Sequence, residues 1–328
     1  MKDDELKILE QYDIDVRNTR KVRGAILCDT ARGPFLLREM QFSERRMHTL
    51  DRLINRLREQ DITNIDWILK DKEERLFVMA EDGTNYFLTK WFHGRECDIH
   101  REGDLLEAVR NLTRIHAAME GFHMEGVQEG EDLEREYFRH NRELKKVRSF
   151  MRDTVRKGDF ELAFLKHFEA MYDCANNALE RLKQSAYKEL LRESREQHKI
   201  IHGDYNYHNI MMLHSGVATT NFGHAREDIQ VVDLYYFLRK IMEKHHWDVA
   251  LGDRILNEYH KNRTISKEER EFLAICIAYP EKFWKAANSY YRSRKIWISA
   301  KNIEKLEMVI CQTEEKKAFL NTIFSFHF

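Results

Sequence analysis

Short apolar runs broken by turn residues fill the first 93 positions, and longer stripes repeating every three to four residues fill most of the remainder. Ala25-Ile26-Leu27-Cys28 and Phe35-Leu36-Leu37 flank Thr30-Ala31-Arg32-Gly33-Pro34, a pattern that predicts a β-hairpin. A second hairpin is predicted over residues 75–80 and 85–92, around Glu81-Asp82-Gly83-Thr84. Between the two, residues 43–59 set Met47, Leu50, Leu53, Ile54 and Leu57 at helical spacing. The segment 1–93 therefore reads as a small α+β lobe of sheet plus one helix.

From Gly94 onward the period is helical. Leu105, Val109, Leu112, Ile115 and Met119 form one stripe, and amphipathic stretches cover 131–156, 160–183 and 186–196. Ser266 with Glu269 three residues later predicts a capping box, opening a helix that stops at Pro280, which can itself begin the next. The exception is 200–222, where apolar runs are interrupted by His202-Gly203-Asp204 and His214-Ser215-Gly216. Residues 94–328 thus read as a second, mainly helical lobe carrying one loop with β character near 200–223. The boundary at 91–98 looks like a short hinge, and the cleft beside it is the default ligand site.

Composition sharpens this reading. Only two prolines and 13 glycines occur in 328 residues, so helices should run long. Fifty-five Lys and Arg against 56 Asp and Glu leave a net charge of -1, which argues against a nucleic-acid coat or a polybasic membrane protein. The balance is uneven locally: residues 135–157 hold nine basic residues against Glu136, Glu143 and Asp153. That stretch is either a solvated helix face or an anion-binding one, and a poor lining for a polycationic aminoglycoside. The longest unbroken apolar stretch, 272–279, is far short of the ~20 residues of a membrane span, so cytoplasmic synthesis is expected. The five cysteines are widely spaced and read as reduced thiols. His208, His214, His245 and His246 show no ligand spacing with Cys or carboxylate, so no zinc site is expected of them.

The chemistry concentrates in His202-Gly203-Asp204-Tyr205-Asn206-Tyr207-His208-Asn209 and the strand-like Ile210-Met211-Met212-Leu213 behind it. This resembles the catalytic loop of the protein-kinase-like fold, in the form used by aminoglycoside phosphotransferases and choline kinases. By that resemblance Asp204, with His202 beside it as the other catalytic-loop candidate, would meet a substrate hydroxyl, and Asn209 would hold a magnesium ion on the nucleotide phosphates. His202 itself reads as packing and hydrogen-bonding beneath the loop. Without such chemistry, Asp204 is a turn residue after Gly203 and Asn209 a loop amide. Asn221-Phe222-Gly223 falls where the fold places a second metal-ligating Asp, and Asp233 matches the helix Asp that braces the loop backbone. Trp91, Phe92 and His93 would be the hinge against which adenine lies, and Arg38 would meet phosphate.

Over nearly the whole chain, Trp91-Phe92-His93-Gly94-Arg95-Glu96-Cys97, the catalytic loop, the 234–240 helix and Tyr279-Pro280-Glu281-Lys282-Phe283-Trp284-Lys285 resemble the CotS-type spore-coat proteins. That family is a branch of the phosphotransferase fold, so the resemblance implies a bilobal protein-kinase-like α+β architecture and a place in the spore coat. Two departures bear on activity. Arg38 stands where active kinases generally carry Lys, and Asn221 replaces a carboxylate that a hard divalent ion would prefer. No G-x-G-x-x-G occurs in the first lobe, where Arg23-Gly24 is the one hint of a phosphate-facing turn. Two functions stay open: a pseudokinase with a structural or recruiting role among spore-coat proteins, which the departures favour, and an active ATP- and Mg²⁺-dependent phosphotransferase acting on a hydroxyl of a small molecule or envelope component.

Overall fold

The computed structural model describes residues 7–22, 24–124, 132–293 and 300–327. Its contacts group into two compact units, residues 1–129 with 194–236 and residues 130–193 with 237–328. The first unit thus takes in the loop near 200–223 as well as the β-rich segment.

In the first unit, both sequence-predicted hairpins form. Strands β1 (Val16–Val22), β2 (Ala25–Thr30), β3 (Gly33–Glu39), β4 (Ile68–Leu69), β5 (Val78–Met79) and β6 (Asn85–Lys90) make an antiparallel sheet in the order β1-β2-β3-β6-β4, with β5 also paired to β6. The predicted apolar runs face its core: Cys28, Phe35, Leu37, Val78 and Leu88 pack with Ile8, Leu9, Tyr12 and Leu69. Strand β1 was not expected. Its sequence, Val-Arg-Asn-Thr-Arg-Lys-Val, alternates no apolar face because it is an edge strand with most side chains exposed.

Helix α1 (Glu44–Glu59) forms where the helical spacing placed it, with Ser43 as N-cap accepting a hydrogen bond from the Arg46 backbone N–H. Its apolar stripe, Met47, Leu50, Leu53, Ile54 and Leu57, is buried. After β7 (Arg95–Glu96), helix α2 (Glu102–Met119) buries the predicted Leu105, Val109, Leu112, Ile115 and Met119. Two small ladders complete the unit: β8 (Ile200–Ile201) pairs with β11 (Arg226–Glu227), and β9 (Ile210–Leu213) lies between β7 and β10 (Gly216–Thr219).

The second unit is helical. It contains α3 (Leu133–Asp153), α4 (Asp159–Gln184), most of α5 (Tyr187–Glu196), the later part of α6 (Val231–Met242), α7 (Val249–Asn262), α8 (Lys267–Ala278), α9 (Glu281–Ser293), α10 (Ala300–Cys311) and α11 (Thr313–Phe324). Aromatic rings fill its interior. Phe164 stacks on Phe283 at 4.9 Å, Tyr137 on Tyr279 at 3.6 Å and His140 on Trp284 at 3.3 Å between ring centres. Each such buried ring removes well over a hundred square ångströms from water, the dominant favourable contribution to folding.

The aromatics of the C-terminal helices are core and packing residues here: Tyr290 stacks on Phe160 and donates to Glu161, and Tyr291 meets Phe150 edge-on. Trp297 lies outside the described residues. The basic stretch on α3 is partly consumed within the unit, with Lys145 over Tyr172, Lys146 over Tyr291, Arg148 over Phe168 and Arg148 paired to Glu169. No helix among the described residues is long and apolar enough to cross a membrane.

Candidate functional site

The loop from His202 to Asn209 is hung between β8 and β9, and its shape is imposed from behind by one buried carboxylate. Asp233, at the start of α6, is fully buried. Its two oxygens accept the backbone N–H groups of His202 at 2.6 Å and Gly203 at 2.9 Å. The Oδ2 atom also meets His116 Nε2 at 3.0 Å. Burial opposes the Asp233 charge, but the hydrogen bond and charge of His116, with His202 nearby, outweigh it and hold the pKa below the ordinary carboxylate value.

Gly203 sits at φ 79°, and a Cβ there would collide with the His224 carbonyl, so the turn requires glycine. Tyr205 anchors the next position: its hydroxyl donates to the Ala108 carbonyl at 2.6 Å and accepts from Asn111 Nδ2 at 3.2 Å, both on α2.

His202 is buried, and both ring nitrogens are committed to backbone. Nε2 donates to the Thr220 carbonyl at 3.0 Å, while Nδ1 accepts from the Asp204 N–H at 3.2 Å. Burial lowers its pKa against the pull of Asp233, and the two hydrogen bonds fix its tautomer.

The side chains of Asp204, Asn209 and Asn221 converge. Asp204 Oδ2 accepts from Asn209 Nδ2 at 2.7 Å and from Asn221 Nδ2 at 3.1 Å, while Oδ1 accepts from Asn206 Nδ2 at 2.8 Å. Asn221, at φ 73°, turns its other amide atom to the sheet: Oδ1 accepts from Arg38 Nη1 at 3.3 Å. Its backbone N–H donates to Asp66 Oδ2 at 2.8 Å, and the same oxygen pairs with Arg38 Nη2 at 3.3 Å.

Asp66 is buried, which pushes its pKa up to about 6, although Arg38 and the Asn221 N–H pull the other way. Arg38 also lies 5.9 Å from the centre of the Trp91 ring. On the far side of Asn221, Arg46 of α1 donates to the carbonyls of Gly223 at 2.7 Å and Ala225 at 3.0 Å, pinning the Asn221-Phe222-Gly223 segment by its backbone.

Trp91, Phe92 and His93 line a cavity of about 450 Å³ together with Val22, Leu27, Pro34 and Met211 and the charged Arg20, Asp29 and Glu96. Its apolar walls come from β1, β2, β3 and β9, while Gly94 packs so closely on β9 that a Cβ would stand 2.6 Å from the Met212 carbonyl. The size and lining suit a planar heterocycle. The β1–β2 turn beside it is tight, with Val22 opposite Ala25 and Gly24 at φ 79°. Arg23 lies outside the described residues.

The donor set suits a magnesium ion poorly. Mg²⁺ takes carboxylate oxygens together with water and phosphate. Asn209 is the amide this fold uses on metal, but position 221 offers a second neutral amide in place of a carboxylate, its oxygen already accepts from a guanidinium, and Asp204 already accepts from three amides.

The kinase-like site residues named from sequence therefore all belong to one unit, with Asp204, Asn209, Asn221 and Arg38 in one hydrogen-bonded chain, His202 and Asp233 beneath it, and Trp91, Phe92 and His93 on the cavity. Sequence reasoning missed Asp66 and Arg46, which contact the segment from 155 and 177 residues away. It also left unnoticed the contact of His116, which meets Asp233 from 117 residues away. No local spacing signals any of these three contacts.

The chain matches the family model described as "Spore coat putative kinase YutH" over residues 5–323. No curated protein matches it significantly. Among solved structures, an aminoglycoside phosphotransferase from Alicyclobacillus acidocaldarius superposes with a TM-score of 0.87 at 17% identity, covering 97% of this chain and 94% of that one. The AMP-bound spectinomycin phosphotransferase APH(9)-Ia gives 0.66 at 11% identity, over 95% and 96%. A microcompartment-associated aminopropanol kinase gives 0.60 at 12%, over 96% of each chain. At these identities the likeness establishes the fold: α+β and bilobal, of the aminoglycoside phosphotransferase kind.

Proposed function

The chain belongs to the YutH family of kinase-fold spore coat proteins, and on that premise we propose that it is a degenerate kinase with a structural or recruiting role in the coat. The observation that carries this reading is the amide of Asn221, which bridges Arg38 and Asp204. A carboxylate at 221 would face Asp204 with like charge and would call for a cation between them. The amide instead presents an N–H₂ to Asp204 and an oxygen to Arg38, so the pair is satisfied with no metal present. Flipping it would set donor against donor and acceptor against acceptor, so the network itself fixes its orientation. Arg38 is likewise drawn into this network and onto buried Asp66, away from the freedom that a phosphate-binding cation needs.

In this reading the cavity at Trp91, Phe92 and His93 is nucleobase-sized space, a reading supported by the fold's likeness to an AMP-bound phosphotransferase, while His202 and Asp233 are positioning residues that preserve the loop. Thermal shift with ATP, with and without Mg²⁺ or Mn²⁺, tests it. Wild type should show no metal-dependent stabilisation, whereas Asn221→Asp should acquire one. A nucleotide at a hundred times its Kd adds about 2.7 kcal/mol, which sets the scale of the largest shift expected.

One observation favours the second reading, an active ATP- and Mg²⁺-dependent phosphotransferase on a small-molecule or envelope hydroxyl. Asp204 and Asn209 stand 2.7 Å apart on a fully braced loop. Phosphate transfer by wild type that vanishes in Asp204→Ala would establish that reading and overturn the first.

A further inference from the structure

At the foot of the same loop, three side chains far apart in sequence meet. His123 follows the end of α2, His198 stands just before β8, and Glu227 closes β11. Their backbones are tied together: Glu227 pairs with Ile200 across the β8–β11 ladder, Asp228 N–H donates to the Lys199 carbonyl at 3.0 Å, and Gly121 N–H donates to the His198 carbonyl at 3.1 Å. His198 is held at φ 48°, in the left-handed region, where a non-glycine residue is uncommon.

The ligating atoms form a nearly equilateral triangle. His123 Nδ1 and His198 Nδ1 are 3.3 Å apart, His198 Nδ1 is 3.1 Å from Glu227 Oε1, and His123 Nδ1 is 3.4 Å from the same oxygen.

With the carboxylate ionised, no placement of protons satisfies all three edges. If both Nδ1 atoms carry hydrogen, each can donate to Glu227 but the two N–H groups point at one another. If either lacks hydrogen, its lone pair faces the carboxylate oxygen. The Met124 N–H donates to the same oxygen at 3.2 Å. A cation at the centre removes the conflict, because both unprotonated Nδ1 atoms and the carboxylate oxygen can then bond to it. Tetrahedral ligands at about 2.0–2.1 Å from a zinc ion stand about 3.3 Å from one another, which is the spacing seen here.

We propose that His123, His198 and Glu227 hold a zinc-class divalent ion through two imidazole Nδ1 atoms and one carboxylate oxygen, with the fourth position open to water. Two nitrogens and one oxygen form a borderline donor set, which selects zinc over magnesium or calcium. Side-chain exposures of 59%, 38% and 18% for His123, His198 and Glu227 leave the ion a route in from solvent. The ion staples the end of α2 to the strand that enters the catalytic loop and to the strand that leaves the Asn221 segment. It is separate from the Asp204–Asn221 network and does not depend on whether that network transfers phosphate.

The test is Co²⁺ titration of the full chain after chelator treatment. The expected result is one equivalent bound with a tetrahedral visible spectrum, displaced by equimolar Zn²⁺, and a Zn²⁺-dependent rise in melting temperature that chelator reverses. Both signals should be lost in His123→Ala, a largely exposed position whose far-ultraviolet circular dichroism should match wild type, and in Glu227→Gln. Both should persist in Asn209→Ala, which would remove a nucleotide-site ligand. Absence of stoichiometric Co²⁺ or Zn²⁺ binding in wild type, or equal binding by His123→Ala, would overturn the proposal and leave a hydrogen-bonded cluster.

Discussion

Asp233 shows how one residue can shape a site without touching what the site binds. Its carboxylate answers two consecutive backbone N–H groups and His116 at once, at a fully buried position. Asp233→Asn keeps the shape but has one acceptor oxygen, so an amide N–H₂ must face a backbone N–H or the imidazole. Leaving a buried hydrogen-bonding group without its partner costs about 1–3 kcal/mol. Urea unfolding of Asp233→Asn should show a loss on that scale, and a loss under about 1 kcal/mol would mean that the brace is dispensable. Asn221 makes the complementary point, since a single change from carboxylate to amide alters what its neighbours require. The loop residues were legible because their spacing is local. Asp66 was not, because its contact with Asn221 spans 155 positions and leaves no periodic trace.

At the scale of elements, periodicity read the helices well and the short strands poorly. Helix α8 begins where Ser266 and Glu269 placed it, with Ser266 Oγ accepting from Glu269 N–H at 3.1 Å and Glu269 Oε2 accepting from Ser266 N–H at 3.0 Å. Arg263 also pairs with Glu269, so the cap is tied to the preceding turn. Ser266→Ala should cost about 1 kcal/mol, read as a lower denaturation midpoint with unchanged slope. A change indistinguishable from zero would show that Glu269 and Arg263 hold the helix end unaided. Strands β4, β7, β8 and β11 have two residues each, too few to display alternation, and they exist because neighbouring backbone offers partners. The proposed metal triad hangs on two of them, which is why no sequence motif announces it.

For the molecule as a whole, the buried aromatic interior of the second unit carries a pH signature. Burial of His140, reinforced by the charge of Arg139, lowers its pKa from 6.5 to about 4, with Glu281 pulling the opposite way. Between those values the unfolded chain binds more protons than the folded one, so stability is complete above about pH 6.5 and declines as pH falls toward 4. Melting followed by tryptophan fluorescence, sensitive to Trp284 stacked on this ring, should show a steeper acid decline in wild type than in His140→Phe. Parallel declines would place the acid sensitivity elsewhere. The sequence by itself determined the α+β class, the predicted hairpins and helices and the loop carrying His202, Asp204 and Asn209, because each follows from neighbours a few residues apart and from the period of burial. Tertiary structure alone decided that Asn221 bridges Arg38 to Asp204, that Asp66 and Arg46 hold that bridge, and that His123, His198 and Glu227 meet. Those contacts are set by how packed elements bring distant positions together, and hydrogen-bond geometry then selects which polar atoms can coexist there.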